Sequence, residues 1–132
     1  MAQWSAQRGT RAWPARVSLL DARIVDVIAT TGCYVGASVI DAELVIALRG
    51  RLQTLQTRQA LHAAQVGRGS KLTSTTTLRG DSIAWFNQDA LEPEEVDAMA
   101  MINSLRAALN EALYIGVTDT ECHYARYPAG AF

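Results

Sequence analysis

The run from Pro93 to Gly116 constrains the fold most, because its pattern suits a long one-sided helix and little else. Pro93, Glu94 and Glu95 make an acidic first turn with proline at a tolerated early position, and Gly116 supplies a stop. Val96, Met99, Ile102, Leu105, Leu109 and Leu113 recur at three- and four-residue intervals, while Asp97, Asn103, Arg106 and Asn110 fall elsewhere. Such a stripe cannot bury itself. It demands a second layer, either another helix or a sheet.

The rest of the chain offers both. Ile24, Val25, Val27 and Ile28 recur at helical spacing after Asp21, with Gly32 as a stop. Cys33 to Ile40 reads as a short strand interrupted by Gly36. Asp41 is placed as an N-cap with Glu43 in the first turn behind it. Leu44, Leu48, Leu52 and Leu55 then form a second helical stripe, with Gly50 inside it and fraying expected beyond Leu61. Ile83 to Phe86 has strand content, Asn87 to Glu92 reads as a turn, and Glu121 to Tyr127 reads as a last strand. On that strand Cys122, Tyr124 and Arg126 share one face, and His123, Ala125 and Tyr127 the other. The order of elements predicts an α+β fold. Residues 1–18 read as a flexible arm and 19–132 as one domain, with a polar loop over Val66–Leu78.

Charge and composition narrow the function. A net charge of −1 argues against a dedicated nucleic-acid or membrane-surface binder. No apolar run approaches the roughly 18–20 residues needed to span a bilayer. The first residues carry arginines and two tryptophans but no signal-peptide core, so a cytoplasmic setting is expected. Cys33 and Cys122 match no metal or redox spacing. Between Leu44 and Gly80 every charged residue is basic (Arg49, Arg51, Arg58, Arg68, Lys71 and Arg79), whereas Asp81 to Glu121 is acidic apart from Arg106. Scattered charges of this kind favour mutual neutralisation of the two halves over an anion-binding face. Gly67-Arg68-Gly69-Ser70-Lys71 fails as a P-loop, since Ser70 separates the glycine from the lysine and Leu72 follows it. It also fails as a dinucleotide fingerprint, because Leu72 stands where a third glycine belongs.

Two segments carry a family resemblance. Arg79-Gly80-Asp81-Ser82-Ile83-Ala84-Trp85, and Tyr127-Pro128-Ala129-Gly130 after the long helix, resemble consecutive parts of the prolyl 4-hydroxylase-like 2-oxoglutarate- and iron-dependent oxygenases. The resemblance runs from about Leu19 to Phe132. It implies the supporting helices and first strands of a double-stranded β-helix, or jelly-roll, domain. In that family the Tyr-Pro strand leads to a His-x-Asp pair, expected here just past Phe132, so a truncation ahead of the complete barrel is the expectation.

For chemistry, the resemblance implies Fe(II) and 2-oxoglutarate, with ascorbate as a possible accessory and a protein or peptide, such as a prolyl side chain, as substrate. Tyr127 matches the tyrosine whose hydroxyl contacts 2-oxoglutarate; an aromatic strand residue filling a core is the competing reading. Asp81 and Trp85 match positions near the substrate entrance, while a tight turn with a local ion pair equally suits Arg79-Gly80-Asp81. Iron of this type needs two histidines and a carboxylate on one face. His62 and His123 are the chain's two histidines and neither begins a His-x-Asp pair, so neither is expected to ligate, and no cofactor is expected on this chain alone. The expectations are an isolated chain without activity, or alternatively a non-enzymatic interaction module on the same scaffold. Helix stripes lacking part of their barrel predict exposed apolar surface and self-association.

Overall fold

A computed structural model describes residues 22–37, 39–64 and 80–131. The expected arm over 1–18, the Val66–Leu78 loop and Arg79 lie outside the described residues. The elements run α1 (Ala22–Thr31), α2 (Ala42–Thr57), β1 (His62–Ala63), β2 (Ser82–Trp85), α3 (Pro93–Leu113) and β3 (His123–Arg126), an α+β order. The described residues group into two units. Residues 40–64, 80–97 and 119–131 form one, and residues 22–37, 39 and 98–118 form the other.

Local chemistry sets most of the helix ends. The Asp41 side chain accepts from the Glu43 amide at 2.8 Å, the N-cap bond that its position in the sequence predicts. The stop after α1 also holds: Gly32 takes a φ of +81° and its amide returns to the Ile28 carbonyl at 2.9 Å. Gly50 sits in α2 with nothing within 4 Å of where a Cβ would be, so its cost of about 1 kcal/mol relative to alanine is not offset by a close approach.

Three expectations are corrected. First, α2 stops at Thr57 rather than fraying past Leu61. Gln59 adopts a φ of +54°, its amide bonds Gln56 O at 3.0 Å, and the Ala60 amide bonds Leu55 O at 2.9 Å. This is a Schellman closure built on glutamine instead of glycine, and it releases His62 into β1. Second, Cys33–Ile40 contains no strand among its described residues. The chain folds tightly at Gly36, where a Cβ would lie 2.8 Å from Tyr34 Cε1 and 2.9 Å from Val39 Cγ2, and Val35 is 92% exposed. An extended strand with no ladder partner has nothing to satisfy it. Third, α3 ends at Leu113, with Tyr114 at a φ of +55°. Asn110 then pairs with Val117 through two bonds of 2.8 Å, amide to carbonyl in both directions, and Arg106 Nη1 donates to Thr118 O at 2.8 Å. Two of the four off-stripe residues of the sequence pattern thus pin the segment that follows the helix.

The sheet is antiparallel in the order β1-β2-β3. His62 faces Ile83 and Ala63 faces Ser82; Ser82, Ile83, Ala84 and Trp85 face Arg126, Ala125, Tyr124 and His123 in turn. Since side chains alternate, Ala63, Ser82, Ala84, Tyr124 and Arg126 share one side. His62, Ile83, Trp85, His123 and Ala125 share the other, as the alternation read from the last strand requires. Leu44, Ala64 and Tyr124 are buried within this unit, and Met99 and Ala98 in the other.

Candidate functional site

The two sides of the sheet differ in kind. On the Tyr124 side, the phenol of Tyr124 donates to Glu95 Oε1 at 3.1 Å. Arg51 Nε of α2 donates to the same oxygen at 3.2 Å, and Arg51 Nη1 lies 3.5 Å from Glu92 Oε1. Glu95 Oε2 accepts from the Glu92 backbone amide at 2.9 Å. Glu95 is the third residue of α3, so this last bond is the backward half of a capping box. One carboxylate, 3% exposed, therefore joins α2, the start of α3 and β3. Arg51 also shows one basic residue of the first half neutralised by acids of the second.

Val96, expected to lead the buried stripe of α3, is half exposed, and its neighbour Glu95 is buried instead. The sequence carries a signal for this: Arg51 falls three residues after Leu48, within the α2 stripe, and a glutamate stands at the third position of α3. Neither shows that the two meet.

Burial and the adjacent Glu95 carboxylate push the Tyr124 phenol far above its ordinary value, with a smaller push from Glu94 and an opposing pull from Arg51. An acid whose folded pKa is raised adds stability that is complete below the unfolded value, about pH 10 for tyrosine, and is lost as pH climbs beyond it. Thermal melts of wild type and Tyr124→Phe should therefore differ most below pH 10 and converge above it. A gap that stays constant to pH 11.5 would contradict the assignment. Burial likewise raises the Cys122 thiol.

The opposite side is open. Trp85 is 57% exposed, and its ring meets the His123 imidazole at 4.7 Å between centroids. Phe86 N donates to Cys122 O, which makes Phe86–Cys122 a hydrogen-bonded pair and Trp85–His123, one step along, a closer non-bonded pair. Tyr127 follows β3 on this same side by alternation and is 55% exposed. Asp81, by contrast, is 3% exposed at the entrance to β2, where its carbonyl accepts from the Ala64 amide at 3.0 Å. The structure thus leaves Trp85 and Tyr127 exposed and encloses Asp81.

The described residues do not fit an iron centre. His62 and His123 stand on the two outer strands, offset by two residues, so their backbones are roughly 12 Å apart given strand spacings of about 4.8 Å. Two imidazoles on one ion must each bring a nitrogen to about 2 Å from it. Among the described residues, no three His, Cys, Asp or Glu side chains converge. Nor is any described helix long and apolar enough to cross a membrane.

Comparison with known proteins supports the resemblance read from the sequence. No family model matches the chain, and no curated protein does. Among solved structures it is similar to a Pseudomonas putida prolyl-4-hydroxylase, with 34% identity and a TM-score of 0.72 over 83% of this chain. The chain spans 56% of the length of that protein. The three helices and small open sheet match part of that structure, and the chain is related to that one protein by both fold and sequence.

Proposed function

We propose that this chain provides the helix-backed sheet of a 2-oxoglutarate- and iron-dependent oxygenase acting on a protein side chain, with prolyl groups as the first candidate substrate. The observation that supports the reading is the position of Tyr127. It begins the Tyr-Pro-Ala-Gly segment directly after β3 and is half exposed, so its side chain is accessible to a small acid. Trp85, likewise exposed, suits the wall of a substrate entrance. Asp81 would act there through its enclosed position at the start of β2 rather than by direct contact. Iron and 2-oxoglutarate would supply the oxidising chemistry. The residues of this chain would orient the acid and shape the access, while the ligand set would come from outside these 132 residues. The isolated chain is therefore expected to release no succinate.

The test is a fusion of residues 1–132 to the part of the Pseudomonas putida enzyme that the chain does not span. Turnover of 2-oxoglutarate by the iron-loaded fusion supports the reading. Tyr127→Phe in that fusion should raise KM for 2-oxoglutarate about tenfold, the effect of losing one hydrogen bond to a charged group. A folded, iron-loaded fusion without succinate release would sink the proposal.

One observation favours a second reading, an interaction module that self-associates. Val35, Ile46 and Tyr114 are largely exposed, together with Trp85 and Tyr127. On this reading the isolated chain should scatter light as a monodisperse dimer with a cooperative melt. A monomer at 100 μM would remove it.

A further inference from the structure

We propose that Arg51, Glu95 and Tyr124 form a positioning network that holds Tyr127 in place for the acid it contacts, an inference that rests on the reading of Tyr127 given above. The ladder by itself does not hold Tyr127. The Phe86–Cys122 bond sets the alternation, so Tyr124 and Arg126 turn their backbone groups toward β2, whereas Ala125 and Tyr127 turn theirs away. Tyr127 lies one residue beyond the last ladder pair, Ser82–Arg126. It is followed by a turn closed by the Ala131 amide on Pro128 O at 2.9 Å, with Gly130 at a φ of +81°. Its position is thus inherited from β3, a strand of four residues, and from that turn.

A pairing that short is marginal without further support. The support comes from the other side of the sheet, three residues before Tyr127. The Tyr124 ring lies 4.9 Å from Phe86, and its hydroxyl is bonded to the carboxylate of Glu95 on α3, which α2 grips through Arg51 and the Glu92 amide just ahead of α3 holds in turn. Stability alone does not ask for this arrangement. A buried ion pair is often replaceable by well-fitted apolar side chains at no loss. What an apolar contact does not supply is a directional link from two helices to one point on β3. Tyr124 makes that link on the closed side, and Tyr127 displays the result on the open side.

The experiment uses the same fusion and a double-mutant cycle. Tyr127→Phe sets the scale. Tyr124→Phe is expected to raise KM for 2-oxoglutarate about three- to fivefold, with kcat and the peptide KM within about twofold of wild type, because a small displacement of one contact weakens binding of the acid selectively. Added to Tyr127→Phe, it should change KM no further. Arg51→Lys, which keeps the charge but loses the planar fork, should show a smaller shift of the same kind. If Tyr127→Phe raises KM and Tyr124→Phe leaves it unchanged, the positioning role is wrong and the assignment of Tyr127 stands. If Tyr127→Phe has no effect, the assignment fails and the network has no site to position.

A second measurement needs no fusion. In the 132-residue chain, amide exchange at Arg126 should quicken about tenfold in Tyr124→Phe while amides within α2 keep their wild-type rates. Equal protection at Arg126 in both proteins would overturn the inference.

Discussion

Glu95→Ala is expected to cost about 2–4 kcal/mol, because it orphans the buried Tyr124 hydroxyl together with two part-buried donors. The size follows from what the substitution leaves behind. Arg51 Nε, the Tyr124 hydroxyl and the Glu92 amide all donate to this one carboxylate, and all three lose it together. A buried donor without an acceptor keeps its full desolvation penalty, whereas the bond itself had contributed only about 1 kcal/mol net. Against a total stability of roughly 5–15 kcal/mol, such a loss is a large share. Glu95→Gln separates charge from geometry, because an amide oxygen can still accept from Tyr124 and should recover part of the loss. Urea melts give both values. Stability within 1 kcal/mol of wild type in the alanine variant would show that Glu95 does not join the three elements.

The second large effect is expected at Leu44. It is 4% exposed, the most buried large aliphatic side chain among the described residues. Leu44→Ala removes its transfer free energy and leaves a cavity, at a cost of about 2–4 kcal/mol. Leu48, Leu52 and Leu55 continue the same stripe but are only partly buried, so the same change there should cost about half as much, in proportion to the apolar area withdrawn from water. Parallel melts of the four variants give the ranking. Equal losses at all four would mean that the stripe is covered evenly along α2.

These two positions show how far the sequence could be read. The periodicity of Leu44 to Leu55 and of Val96 to Leu113 located both long helices, and Leu44 was correctly placed on a buried face. Asp41 as N-cap and Gly32 as a stop were equally legible, because each involves partners within five residues. The end of α2 was not, because glutamine at 59 carries no sign that it will adopt a left-handed conformation. Alternation could put Tyr127 with His123 and Ala125, and only the resemblance put Trp85 near an entrance. The enclosure of Asp81 could not.

The amino-acid order by itself determined the helices, the caps made by near neighbours and the kinship carried by Arg79–Trp85 and Tyr127–Gly130. Each of these depends on residues a few positions apart, where spacing and chemistry are written side by side. Only the tertiary structure decided that Glu95 rather than Val96 turns inward, that His62 leaves its helix for a strand, and that the two histidines stand on opposite edges of the sheet. Those outcomes depend on pairs such as Arg51 with Glu95 and Glu95 with Tyr124, which lie 44 and 29 positions apart. A buried carboxylate is tolerable only where distant donors converge on it, and the folded chain is what brings them together.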